Sequence, residues 1–103
     1  MYIIILVTVG NEKEARRIAR ELVAQRLAAC VNIISQVESF FKWKGKLDRA
    51  KEFILVIKSK KGLFSKVVAL VKKMHSYEVP EIISLAVPKG ERKYMEWWDE
   101  CLG

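Results

Sequence analysis

Hydrophobic positions along the chain change period several times, and each change marks an element. Residues 2–9 (Tyr-Ile-Ile-Ile-Leu-Val-Thr-Val) form an unbroken, mostly β-branched run, the pattern of a strand buried on both faces. Asn11 followed by Glu14 has the spacing of a capping box. Ala15, Ile18, Ala19, Leu22 and Val23 then recur at helical spacing, with Arg16, Arg17, Arg20 and Glu21 mostly outside. Over residues 30–43 the period drops to two and predicts a long strand, with Val31, Ile33, Val37, Phe41 and Trp43 on one face. Lys44-Gly45 reads as a turn, and residues 53–58 as the returning arm of a hairpin. Gly62 precedes a second helix with Phe64, Val67, Val68, Val71 and Met74 along one stripe. Residues 81–87 predict a short strand. After Pro88 and Gly90, the spacing of Tyr94, Trp97, Trp98 and Cys101 predicts a last helix.

The order is β-α-β-β-α-β with a C-terminal helix, and no linker, repeat or low-complexity tract interrupts it. It predicts one α+β domain over residues 1–103: a ferredoxin-like antiparallel sheet with two helices on one face. Strands 1 and 3 carry apolar residues on both faces (Phe53, Leu55 and Ile57 against Ile54 and Val56), so a layer is missing from the second face. Self-association is the simplest cover for it.

Composition narrows the chemistry. Apolar residues make up 51% and charged residues 30% of the 103 positions, which describes a globular chain. Cys30 and Cys101 are far apart, and neither belongs to a C-x-x-C pair, so the reading is a reduced, cytoplasmic protein without a zinc knuckle. The apolar start is too short to span a bilayer and lacks the marks of a signal peptide. The formal net charge of +7 admits a polyanionic partner, but the lysines are scattered from Lys13 to Lys93 rather than gathered into a stripe. With four Asn and Gln in all (Asn11, Gln25, Asn32, Gln36), the composition leans toward a heat-adapted source.

One segment concentrates the polar chemistry: Met74-His75-Ser76-Tyr77-Glu78-Val79-Pro80-Glu81. It holds the only histidine and one of two prolines, at the seam between the second helix and the last strand. His75, Glu78 and Met74 are candidate ligands for a metal ion, and Tyr77 and Glu81 are candidate binding residues. Each has a plainer reading. His75 suits a helix C-terminus, where a ring N–H satisfies carbonyls, and Met74 lies on the apolar stripe. Glu78 and Glu81 suit a solvated loop. No G-x-S-x-G, P-loop or H-E-x-x-H appears, and the five glycines form no phosphate cradle, so catalysis is not expected.

Leu27-Ala28-Ala29-Cys30-Val31-Asn32-Ile33, the hairpin Ser39-Phe40-Phe41-Lys42-Trp43-Lys44-Gly45-Lys46, Glu52 with Ile57-Lys58-Ser59, the segment from His75 to Ile83, and Tyr94-Met95-Glu96-Trp97 occur in an order that resembles the CutA family of divalent-ion tolerance proteins. The resemblance implies a homotrimer joined through the long hairpins and a link to copper or another divalent cation; with one histidine and no clustered thiolates, weak binding of that cation is expected, and no organic cofactor. It also shows departures. Many members carry Tyr-Trp-Trp where this chain has Phe41-Lys42-Trp43, and some carry a His-His pair where it has Met74-His75. One imidazole and a thioether remain, a set that favours Cu(I). A second reading is a trimer shaped like the nitrogen-regulatory PII proteins, taking a small anionic effector between subunits. A specific nucleic-acid partner is not expected, because the aromatic spacing of an RNA-stacking sheet is absent.

Overall fold

The computed structural model describes all of residues 1–103. Its elements follow the order β1 (Tyr2–Val9), α1 (Glu12–Ala24), β2 (Cys30–Trp43), β3 (Lys46–Lys60), a single 3₁₀ turn (Lys61–Leu63), α2 (Phe64–Met74), β4 (Ile82–Ala86) and α3 (Arg92–Cys101). The four strands form one antiparallel sheet in the order β2-β3-β1-β4. The fold is ferredoxin-like, as its element order predicts.

The core lies between one sheet face and the helices. Ile3, Ile5, Val7 and Val9 of β1 and Leu55 and Ile57 of β3 meet Ala15, Ile18 and Leu22 of α1 and Val67 and Val71 of α2. Asn11 caps α1 by accepting the Glu14 N–H at 2.8 Å. Only half of the expected capping box forms, because the Glu14 carboxylate turns inward to Ser76. At the far end, buried Trp98 of α3 donates to the Ser59 carbonyl at 2.9 Å. The Arg26 guanidinium donates to the carbonyls of Glu100, Cys101 and Leu102, closing the C-terminus of α3.

Burial on both faces of β1 is not what the chain achieves. Its residues alternate between buried and half-buried, because α1 and α2 pack on one side, while α3 reaches only Tyr2 and Lys58 at one end of the other. The opposite face carries Ile4, Leu6, Ile54 and Val56, with Ile83 and Leu85 exposed at its margin.

The long hairpin also departs from simple alternation. Ile34 pairs with Ile54, yet Val37 pairs with Glu52, so Ser35 and Gln36 together oppose Phe53. Gln36 absorbs the extra residue with φ +55°. Cross-strand partners share a face. Beyond this bulge the odd residues Val37, Ser39, Phe41 and Trp43 therefore move to the face of Cys30, Asn32 and Ile34. The single face expected for Val31, Ile33, Val37, Phe41 and Trp43 is split in two. Seven further pairs, from Val37–Glu52 to Trp43–Lys46, extend past the last β1 partner of β3, Phe53. At about 3.3 Å per residue the arm reaches roughly 20 Å beyond the body. Lys44 and Gly45 turn it with φ +52° and +79°, the positive pair that a two-residue hairpin turn requires.

Candidate functional site

The polar segment after α2 folds against the end of β1, the start of α1 and the root of the hairpin. Helix α2 ends at His75, whose N–H still bonds to the Val71 carbonyl while its backbone turns extended. That change aims the imidazole inward, and its side chain is fully buried. The Tyr77 N–H donates to Nδ1 at 3.0 Å. A backbone N–H can only donate, so Nδ1 is the lone-pair nitrogen and Nε2 carries the proton. Nε2–H in turn donates to the Thr8 carbonyl at 2.7 Å. Both ring nitrogens of this neutral tautomer are thus engaged within the chain.

Two buried carboxylates, neither among the candidates read from the sequence, complete the cluster. Glu14, from the first turn of α1, accepts the Ser76 hydroxyl at 3.1 Å and places Oε2 3.7 Å from His75 Nδ1. Glu52, from β3, accepts the Tyr77 phenol at 2.8 Å. The Tyr77 ring lies 4.8 Å from the imidazole, tilted at 48°. Loss of solvent around the phenol, its hydrogen bond to Glu52, and the nearby charges of Glu52 and Glu14 push the Tyr77 pKa up to about 12. Gly10 is required beneath it: a Cβ there would stand 2.9 Å from the phenol oxygen.

The other sequence candidates sit outside this cluster. Met74 is half-buried against the core, whereas Glu78 and Glu81 are exposed on the loop before β4. His75 and Tyr77 are brought together; Glu78, Glu81 and Met74 do not converge on them. No set of three His, Cys, Asp or Glu side chains is placed to hold a metal ion within one chain. Glu14 had a sequence signal, but as a helix cap. Glu52 lies in one of the family-like segments, and nothing in its spacing reports that the bulge and the Tyr77 loop enclose it.

Comparison with known proteins agrees with this architecture. The family model described as CutA1 divalent ion tolerance protein matches residues 3–101. The chain belongs to the CutA1 family. It is 41% identical to the divalent-cation tolerance protein CutA of Thermus thermophilus over 100 residues, covering 97% of each chain. A chloroplastic CutA 1 of Oryza sativa is 40% identical over 92% of this chain, which spans about half of that longer relative (54%). Among solved structures, the Thermus thermophilus protein superposes with a TM-score of 0.97 at 41% identity and full coverage of both chains. The periplasmic divalent cation tolerance protein CutA of Archaeoglobus fulgidus gives 0.94 at 40% identity, covering 98% of each. Family membership supports a role in metal tolerance, and CutA names carry no suggestion of catalysis. No helix here is long and apolar enough to cross a membrane.

Proposed function

We propose that this chain works as a cytoplasmic homotrimer that binds copper or another divalent cation weakly at the His75 junction and turns over no substrate. The observation that carries the cation reading is the state of the single imidazole. Its Nδ1 lone pair is held by one backbone N–H, that of Tyr77, on the loop that also carries Glu78. A cation takes that lone pair by displacing the Tyr77 N–H, and the same movement of the loop is needed to bring Glu78 and the Met74 thioether, which do not converge on the ring in the closed junction, into reach as further donors, with Tyr77 and Glu81 lining the approach. The cost of the displaced hydrogen bond keeps affinity modest. Cation binding also competes with protonation of the ring, so it weakens on acidification. The trimer reading is supported by the uncovered apolar sheet face, with Ile34, Ile83 and Leu85 each about half exposed (47%, 49% and 52%).

Calorimetric titration with Cu(II), Zn(II) and a nucleotide tests the site reading, with light scattering on the same samples for assembly. We expect weak, acid-sensitive copper binding that is largely lost in His75→Ala, on a particle near three times the 11.9 kDa subunit. Equal copper binding by parent and variant would make the junction purely structural. Tight nucleotide binding would move the protein to the PII-like class.

A further inference from the structure

Glu14 and Glu52 are only 6% and 8% exposed, and neither meets a lysine or arginine. The three Lys/Arg–carboxylate pairs in the chain, Arg16–Glu12, Arg49–Glu38 and Arg92–Glu96, all lie on the surface. The buried two are satisfied by neutral groups, the Ser76 hydroxyl and the Tyr77 phenol, beside an imidazole whose hydrogen bonds make it neutral. Buried carboxylates in folded proteins are paired or bound to a cation. With 19 Lys and Arg against 12 Asp and Glu, counter-charge is not scarce in this chain. It is out of reach. Lys42, Lys44 and Lys46 crowd the tip of the hairpin, exposed and free of ion pairs. Glu52 stands at the root of the same arm, roughly 20 Å away at the usual rise per strand residue. A hairpin cannot deliver its tip to its own root, but it can deliver it to the root of another copy.

We propose that the Glu14–Glu52 pair receives its counter-charge from the Lys42, Lys44 and Lys46 tip of a neighbouring subunit, so that the junction is complete only in the assembly. The inference rests on the trimer reading above. A tip-to-root contact is head-to-tail, and such contacts close into a ring when the rotation permits. The contact also explains how two acidic groups are held under the Tyr77 loop without a cation of their own chain.

Three variants test it: Glu14→Gln with Glu52→Gln, the three tip lysines changed to Gln, and all five changes together. Sedimentation across a dilution series reads the concentration at which the assembly half-dissociates, and circular dichroism checks folding. Each set alone should raise that concentration at least tenfold, and the combined variant should be no worse than the weaker of the two, because both sets remove one contact. Additive losses would overturn the proposal. So would a carboxylate variant that holds together as well as the parent or better, the outcome expected if the carboxylates remain unpaired in the assembly. Stabilisation of the parent by Mn(II), absent in the carboxylate variant, would place an ion rather than a lysine there and overturn it as well. A monomeric parent would instead sink the trimer reading. A trimeric parent without coupling would sink only this inference.

Discussion

The body of this subunit and its hairpin arm are built from the same sheet under opposite rules. In the body, β1 sits between β3 and β4, and its inward residues Ile5, Val7 and Val9 are completely shielded from solvent. In the arm, two strands have only each other, and Phe40, Trp43 and Leu47 stand largely exposed (62%, 62% and 76%). An isolated two-stranded ribbon is marginal in water. The body therefore has a closed core on one face of its sheet, while the arm leaves apolar side chains and lysines exposed with no packing from its own chain. The difference teaches that the residues that close the core are not those of the arm, with the polar junction at the boundary between them.

The largest test of that division is a charge in the arm. Phe41→Glu should dissociate the assembly completely in light scattering while leaving the circular dichroism of the subunit intact, since an interface would have to bury an unpaired carboxylate. Collapse of the fold itself would show that the arm supports the body. The converse change, Ile5→Ala, removes buried volume between sheet and helices. It should cost about 2–5 kcal/mol in guanidinium unfolding, read from the midpoint at unchanged slope. A loss below about 1 kcal/mol, less than the usual cost of such a truncation, would mean the body does not depend on close packing at β1.

The junction sharpens the boundary. Gly10→Ala places a methyl against the Tyr77 phenol and should cost about 1–3 kcal/mol, the usual scale for overpacking. It should also return the delayed tyrosine titration to the ordinary range. In the parent, loss of solvent and the bond to Glu52 hold the pKa of the Tyr77 phenol at about 12, above its ordinary value of 10.0. A raised folded pKa favours the protonated phenol in the native state, so its contribution is fully present below about pH 10 and is lost as pH rises toward 12. Ultraviolet titration of the phenolate in parent and Tyr77→Phe checks this: one late-titrating tyrosine should vanish in the variant. The smallest effect belongs to the cap. Asn11→Ala should cost about 1 kcal/mol in the same unfolding assay, from the loss of the bond to the Glu14 N–H. A larger loss would mean that α1 also anchors the Glu14 carboxylate beneath Ser76.

Much of the fold is legible along the chain because local periodicity has a local cause. The stripe from Ala15 to Val23 reports a helix with one packed face, and Asn11 reports where it starts, since both signals act within a few residues. His75 and Tyr77 were visible because a lone histidine and a proline-pinned turn break an apolar pattern. The rest of the site was not. Glu52 is surrounded by ordinary strand residues, and its burial depends on a loop 25 positions away closing a phenol over it. The bulge at Ser35 and Gln36 reverses which residues of β2 share a face, and no alternation in the sequence announces it. The sequence by itself determined the elements, their order and the family, because these follow from hydrophobic period, capping and motif. Tertiary structure alone decided that His75 is a neutral, doubly engaged ring and that Glu14 and Glu52 are enclosed without a cation of their own chain. Those properties belong to distances between elements far apart in the chain, and the chain's local pattern carries no record of such distances.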